Sequence, residues 1–375
     1  MPTSSAAREH PAHAHPARDV VDGRDKPGPD GFRRRRLFLG LTAAFLCLFG
    51  AGLAIALNPN SKSGPPVATG PIAVHARPIA AFDPAAPSRT RFGALVYRGG
   101  LVLSSPAYGF GGWSGLRLSA DGRHLLSVSD HGHWLAADVT YDGTRPSGLA
   151  NAAMAPLREA NGEPFPPRER DTESLEVEGT SAWIGAEGTN RIWRFDLARG
   201  IAGATGHPIA VPPEMRRGVP FNGGYEALAR VPAGQPHAGA LVVVTEEQLD
   251  EAGNHVAWLL DDAGAHRFAV KMRDGYAVSD MSFLPGGDLV ILERRYRPPL
   301  SLRMRVRLIA WRDVQPGRTV DGEVLIEASL AQEIDNMEGI SAFRAQDGTT
   351  VLTLISDDNF NPLERTLLLQ FALAE

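Results

Sequence analysis

The chain has 375 residues, 43% of them apolar and 22% charged, enough to bury a core in one large domain or two ordinary ones. Its net charge is −5, with 35 Arg against 3 Lys and no basic domain, which argues against a nucleic-acid binder. The single cysteine, Cys47, lies in the one long apolar run, so the soluble part has no disulfide scaffold, zinc–cysteine site or cysteine nucleophile.

Residues 1–36 are rich in Ala, Pro, His, Asp and Arg and lack apolar periodicity, a composition that stays disordered. His10, His13 and His15 belong to that tail. The tail ends in four arginines, 33–36, and the next 21 residues, 37–57, are uncharged. At about 1.5 Å per residue such a helix spans a bilayer core of roughly 30 Å. Arginines kept in the cytoplasm predict that the rest of the chain faces the periplasm. Arg35-Arg36-Leu37-Phe38-Leu39 resembles the twin-arginine export signal, and Ala54-Ile55-Ala56 offers a small-residue cleavage site. The apolar run exceeds the roughly 7–15 residues of a cleaved signal, so a removed leader and a retained membrane helix both stay open. Residues 1–57 carry 8 cations and 5 anions, which leaves −8 on the exported part.

Residues 58–90 read as a Pro/Ser/Ala-rich linker. From 91 to 375, short apolar runs alternate with turn clusters, which predicts an all-β domain. Five segments share one plan: SGLRLSADGRHLLSVSD (114–130), ESLEVEGTSAWIGAE (173–187), EALARVPAGQPHAGALVVVTE (226–246), DMSFLPGGDLVILE (280–293) and EGISAFRAQDGTTVLTLISD (338–357). Each opens on a polar residue, continues as a strand, turns at glycine and returns as a strand ending in an acid. Their starts are separated by 59, 53, 54 and 58 residues, room for four strands each and the period of a β-propeller blade. Residues 91–375 hold five such blades, with a degenerate sixth left open. RFGALVYRGGLVLSS (91–105) is expected to close the last blade beside RTLLLQFAL (365–373). A closed ring leaves no long free edge, so the propeller is expected to be monomeric.

In an antiparallel hairpin the first residue of one strand lies beside the last of the next. This pairs Glu173 with Glu187, Glu226 with Glu246, Asp280 with Glu293, Glu338 with Asp357, and Ser114 with Asp130. Radial symmetry then gathers all five pairs at one end of the propeller. So many carboxylates repel unless a cation neutralises them or some stay protonated. Oxygen donors without a recurring His/Cys cluster suit a hard cation such as calcium better than zinc. Asn190, Asn222, Asn336 and Asn359 offer neutral oxygens, and Arg191, Arg294 and His131 stand near the acids in sequence. Carboxylates, a cation and arginines together suit phosphoryl or ester hydrolysis. The bland reading is that repeated blade acids bond backbone N–H groups and only fix the blades. Trp113, Trp134, Trp183, Trp193, Trp258 and Trp311 fall mainly in strands and read as core, while His133 and His255 read as structural. Ser114 in GGWSGL lacks the strand–turn–helix setting of a nucleophilic serine.

Read in order, GGWSGL with SDHG, DTESLE with AEGTNRIWRF, NGGYEALA with TEE, VSDM with LERRY, and NMEGIS with SDDNF and RTLLL resemble the phytase-like family described by esterase-like activity, a group of exported bacterial β-propellers. The chain departs from the expected pattern at His131, where an arginine would follow Asp130. The resemblance implies hydrolysis of phosphate or other small-molecule esters by acidic residues. The expected catalytic set is Glu173, Glu226 and Glu338, one of them a general base, with Arg191 and Arg294 on the phosphate. Asp130, Glu187, Glu246, Asp280, Glu293 and Asp357 are the expected metal ligands. A sugar lactonase or carboxylic-ester hydrolase, or a non-catalytic propeller that binds a cation or cationic partner, fits the same acids.

Overall fold

The computed structural model describes residues 68–220, 223–297 and 301–374. The predicted tail, membrane-length run and export signal lie outside the described residues, as does Asn222. Among the described residues no helix is long and apolar enough to cross a membrane.

Local turn chemistry sets the hairpins. In the first repeat, Gly122 adopts a φ of +72° that glycine reaches without strain. Asp121 Oδ1 accepts the Arg123 N–H at 3.1 Å, and Ser119 Oγ accepts the His124 N–H at 2.9 Å, which fixes the reversal. Strands then alternate their side chains between two interfaces. Leu367 and Leu369 enter one apolar cluster and Leu368 another; Val242 and Val244 are likewise separated from Leu241 and Val243. Both faces of each such strand are therefore buried, and the strands read as continuous apolar runs.

Five sheets result, one per repeat, and the structure is a five-bladed β-propeller. The innermost strands are Trp113–Leu118, Thr172–Glu178, Tyr225–Arg230, Ala277–Phe283 and Asn336–Arg344, and each pairs antiparallel with the next strand outward. Five apolar clusters fill the five spaces between neighbouring blades. All six tryptophans are buried in these layers, as expected of core. Truncating a leucine in such a layer to alanine costs about 2–5 kcal/mol.

The ring closes as predicted: Leu95–Ser104 pairs antiparallel with Thr366–Leu373, which joins an early strand to the last strand in blade five. Part of the segment read as a linker, 58–90, is folded into the propeller. His75–Ile79 forms the outer edge of blade five on Leu95–Ser104, and Gly70–Pro71 pairs with Ala153 and Met154 of blade one. Pro71 and Pro78 hide these strands in a sequence reading, yet an edge strand tolerates a residue without an N–H.

Candidate functional site

Every innermost strand carries a bulge near its start, where a residue drops out of the ladder to the second strand. The residues left out are Glu173, Glu226, Ser279 and Glu338, and in blade one Ser114 with Gly115. A bulge re-aims the side chain it frees. The residues just before the bulges pair with Ser129, Ala186, Thr245, Glu293 and Ser356. The next residues along the second strands are Asp130, Glu187, Glu246, Arg294 and Asp357. Blades two, three and five thus bring two acids each and blade one brings Ser114 and Asp130. Blade four brings a serine and an arginine.

Arg294 is the cation inside this ring. Its Nη2 lies 3.2 Å from Glu246 Oε1 and 4.0 Å from Glu226 Oε1, and its Nε lies 3.2 Å from Glu338 Oε1. Asn336 bridges the pair, accepting from Arg294 Nη1 at 3.3 Å and donating Nδ2 to Glu338 Oε1 at 2.7 Å. Glu187 Oε1 accepts the N–H groups of Gly223 and Gly224. Asp357 Oδ1 accepts the Asn359 N–H at 2.6 Å. On the rim, Phe360 stacks on His131 with ring centroids 4.4 Å apart.

Burial and mutual repulsion raise the acids. Burial first, then Asp130, Asp171 and Glu187, hold Glu173 well above the usual carboxylate range. Burial, then Glu246 and Glu173, do the same to Glu226. Burial, then Asp357, raises Asp130. Glu187 and Asp357 are pushed up to about 7 and Glu338 to about 8, in each case chiefly by burial. The surrounding carboxylates, Glu338 foremost, raise Arg294 in turn. At neutral pH the ring shares protons unless a cation replaces them.

The donors fit a hard cation. Asp171, Glu173 and Glu187 each offer an oxygen within 4.8 Å of the others, and so do Glu187, Glu226 and Glu246. Glu226 Oε2, Glu338 Oε2, Asp130 Oδ1 and Asn190 Oδ1 are buried without a hydrogen-bond partner. Such oxygens are costly unless something binds them. Gly224 leaves the space: a Cβ there would strike Asn190 Oδ1.

Two expected ligands stand elsewhere. Asp280 is fully buried one residue beyond the bulge, where its Oδ2 accepts from Arg117 Nη1 at 3.2 Å and from the Ile340 N–H at 2.8 Å. Glu293 is paired with Arg307 between blades three and four, both side chains fully buried, with Nη2 2.5 Å from Oε1. The cause is the register. In blade four the bulge position is filled by Ser279 and the residue after the paired Glu293 is Arg294, so these two take the places expected for Asp280 and Glu293, and each acid stands one residue nearer the hairpin turn. A slip of one residue turns a strand's side chains to the opposite face.

Arg191 does not join the ring; its Nη1 lies 2.9 Å from Glu169 Oε1. It lines a groove of about 510 Å³ with Asn190 and Arg216. Asn359 donates Nδ2 to Glu364, away from the acids. Trp193 Nε1 and Thr189 Oγ1 also donate to Glu169, which makes that acid a structural anchor. His255 is a buried strut, its two ring nitrogens 2.8 Å from the Glu246 carbonyl and 3.1 Å from the Tyr276 carbonyl. Sequence reasoning missed Asp171, although it stands two residues before Glu173, the spacing that aligns side chains in extended chain.

The fold and the site define a β-propeller with a carboxylate ring gathered around one arginine. The chain belongs to the Phytase-like family, described as esterase-like activity of phytase, whose sequence profile matches residues 108–360 and so takes in all five innermost strands. Membership supports a propeller hydrolase in general. No curated protein matches the chain. Solved structures of similar fold include the β-propeller domain of Myceliophteria thermophila Cps50 (Swd1), at 9% identity and a TM-score of 0.36, covering 81% of this chain and 100% of that one. Myxococcus xanthus glutaminyl cyclase follows at 12% and 0.37, covering 71% and 92%. A putative gluconolactonase stands at 12% and 0.37, covering 83% and 100%. Likeness at this level carries no argument about function.

Proposed function

We propose that the protein is an exported, cation-dependent hydrolase of phosphate mono- or diesters, with calcium as the cation. One observation carries the reading: buried carboxylate oxygens of Glu226, Glu338 and Asp130 have no hydrogen-bond partner and sit in a ring that already contains a fixed arginine. Glu173, Glu187, Glu226 and Glu246, with Asp171 and the amide oxygen of Asn190, would hold the cation, an all-oxygen set of the kind calcium takes. Asp130 and Asp357 would lend oxygens from blades one and five. The bound cation would supply Lewis acidity and offset the charge of the acids.

The chain's own groups do the rest. Arg294 would bind the phosphoryl oxygens and stabilise the charge that grows on them. Glu338, raised to about 8 and carrying a free Oε2, would take the proton from the attacking water. Asn336 orients both through its two hydrogen bonds. Export rests on the arginine pair and the apolar run near the N-terminus, which also supplies the membrane contact if it is retained.

Turnover of a chromogenic phosphodiester, a phosphomonoester and a lactone, each with and without calcium, tests the reading. Calcium-dependent release from either phosphate ester is expected. Turnover of the lactone alone would establish a lactonase, and cation binding without any turnover a binding propeller.

A further inference from the structure

Arg117 lies on the innermost strand of blade one, three residues after Ser114, and is buried at 7% exposure. Its guanidinium touches the inner strand of every blade. Nη1 donates to its own strand at the Leu116 carbonyl, 2.5 Å, to the Ile340 carbonyl of blade five, 3.1 Å, and to Asp280 Oδ2 of blade four, 3.2 Å. Nη2 donates to the Leu228 carbonyl of blade three, 2.5 Å, and the Met281 carbonyl of blade four, 2.9 Å. Nε donates to Glu176 Oε2 of blade two, 2.9 Å.

These contacts repeat at one level. Leu116, Leu228, Met281 and Ile340 each stand two residues beyond the bulge residues Ser114, Glu226, Ser279 and Glu338, and Glu176 stands three beyond Glu173. Two residues of extended chain are about 7 Å. The guanidinium therefore ties the five strands together one layer beneath the carboxylate ring. Its neighbours at the same level, Ala229, Ser282 and Ser341, are too small to reach across the axis. On the side away from the ring, a cavity of about 670 Å³ is lined by Arg117, Glu176, Ser282 and Ser341 and by none of the ring acids. Arg117 thus separates that opening from the acidic mouth.

We infer that Arg117 is a positioning residue: it sets the spacing of Glu173, Glu226 and Glu338 across the mouth and closes the channel beneath them. A planar fork with five N–H donors can satisfy carbonyls from several directions at once, which a lysine cannot. The spacing follows from the contacts alone; its consequence for a cation rests on the reading of the ring as a cation site. Changing a group that orients ligands typically costs about 10–100-fold in metal affinity.

The test compares full-length wild type with Arg117→Met, Arg117→Lys and Arg307→Met, using calcium chloride titrations by calorimetry at a temperature where circular dichroism shows all four folded. Arg307→Met is the control, because it breaks another fully buried arginine–carboxylate pair outside the ring. Arg117→Met is expected to weaken calcium by roughly 10–100-fold, Arg117→Lys by less, and Arg307→Met not at all. Wild-type affinity in Arg117→Met, or an equal loss in Arg307→Met, overturns the inference. If Arg117→Met does not fold, Arg117→Lys carries the comparison. If wild type takes up no divalent cation, the cation-site reading fails, and a crystal structure of Arg117→Lys decides the tie. A widened or skewed ring of Glu173, Glu226 and Glu338 upholds it, and an unchanged ring refutes it.

Discussion

Replacing Glu187 by glutamine separates charge from shape at the centre of the acid ring. The amide oxygen can still accept the Gly223 and Gly224 N–H groups, and the side-chain volume is kept. Burial pushes the Glu187 carboxyl from 4.5 up to about 7. Between those values the folded protein keeps a proton that the unfolded chain has released, so stability falls as pH rises through this window and levels off above it. At about 1.4 kcal/mol per pKa unit, ionising Glu187 costs about 3–4 kcal/mol, a ceiling for what glutamine restores. Urea denaturation in chelator at about pH 8.5 should show Glu187→Gln more stable than wild type by up to that amount. Near pH 4.5 the two should coincide. Calcium at 100 times its dissociation constant should add roughly 2.7 kcal/mol to wild type and much less to the variant. A variant less stable than wild type at about pH 8.5 in chelator would refute the argument that burial strains this carboxylate.

Arg294→Met leaves Glu226, Glu246 and Glu338 without their shared cation. Turnover of a phosphate ester should fall by about 10²–10³-fold, with a lower melting temperature in chelator, both read against wild type. Gly224→Ala puts a methyl group against Asn190 Oδ1, and calorimetry should show weakened calcium binding while circular dichroism keeps its β-sheet signal. Whole-protein stability in chelator should decline from about pH 4.5 to 8, because Glu187, Asp357 and Glu338 are all raised, and calcium should flatten that slope. Replacing both Arg35 and Arg36 by lysine should block export, scored by fractionation; undiminished export would assign the general secretory route, since twin-arginine transport reads the pair as an address.

The blade number, the closing strand and the gathering of acids at one mouth were legible in the sequence, because each follows from local rules. Turn glycines mark the hairpins, short continuous apolar runs mark the strands, and a repeat of 53–59 residues marks the blade. Hairpin geometry with radial repetition was enough to bring Glu173, Glu187, Glu226, Glu246, Glu338, Asp130 and Asp357 to one end. Blade four escaped this logic. Asp280 and Glu293 match the repeat by eye, but in blade four the shared bulge falls on Ser279 and the ring position of the second strand on Arg294, so both acids stand one residue off, and with a period of two that single residue turns them to other faces. No residue type announces a bulge, since tertiary packing selects it. The hub was equally hidden: Arg117 and Ile340 are 223 residues apart and meet only when the ring has closed. Sequence determined what is local or periodic here; the tertiary structure alone decided register and the contacts across the axis, because both depend on strands distant in the chain.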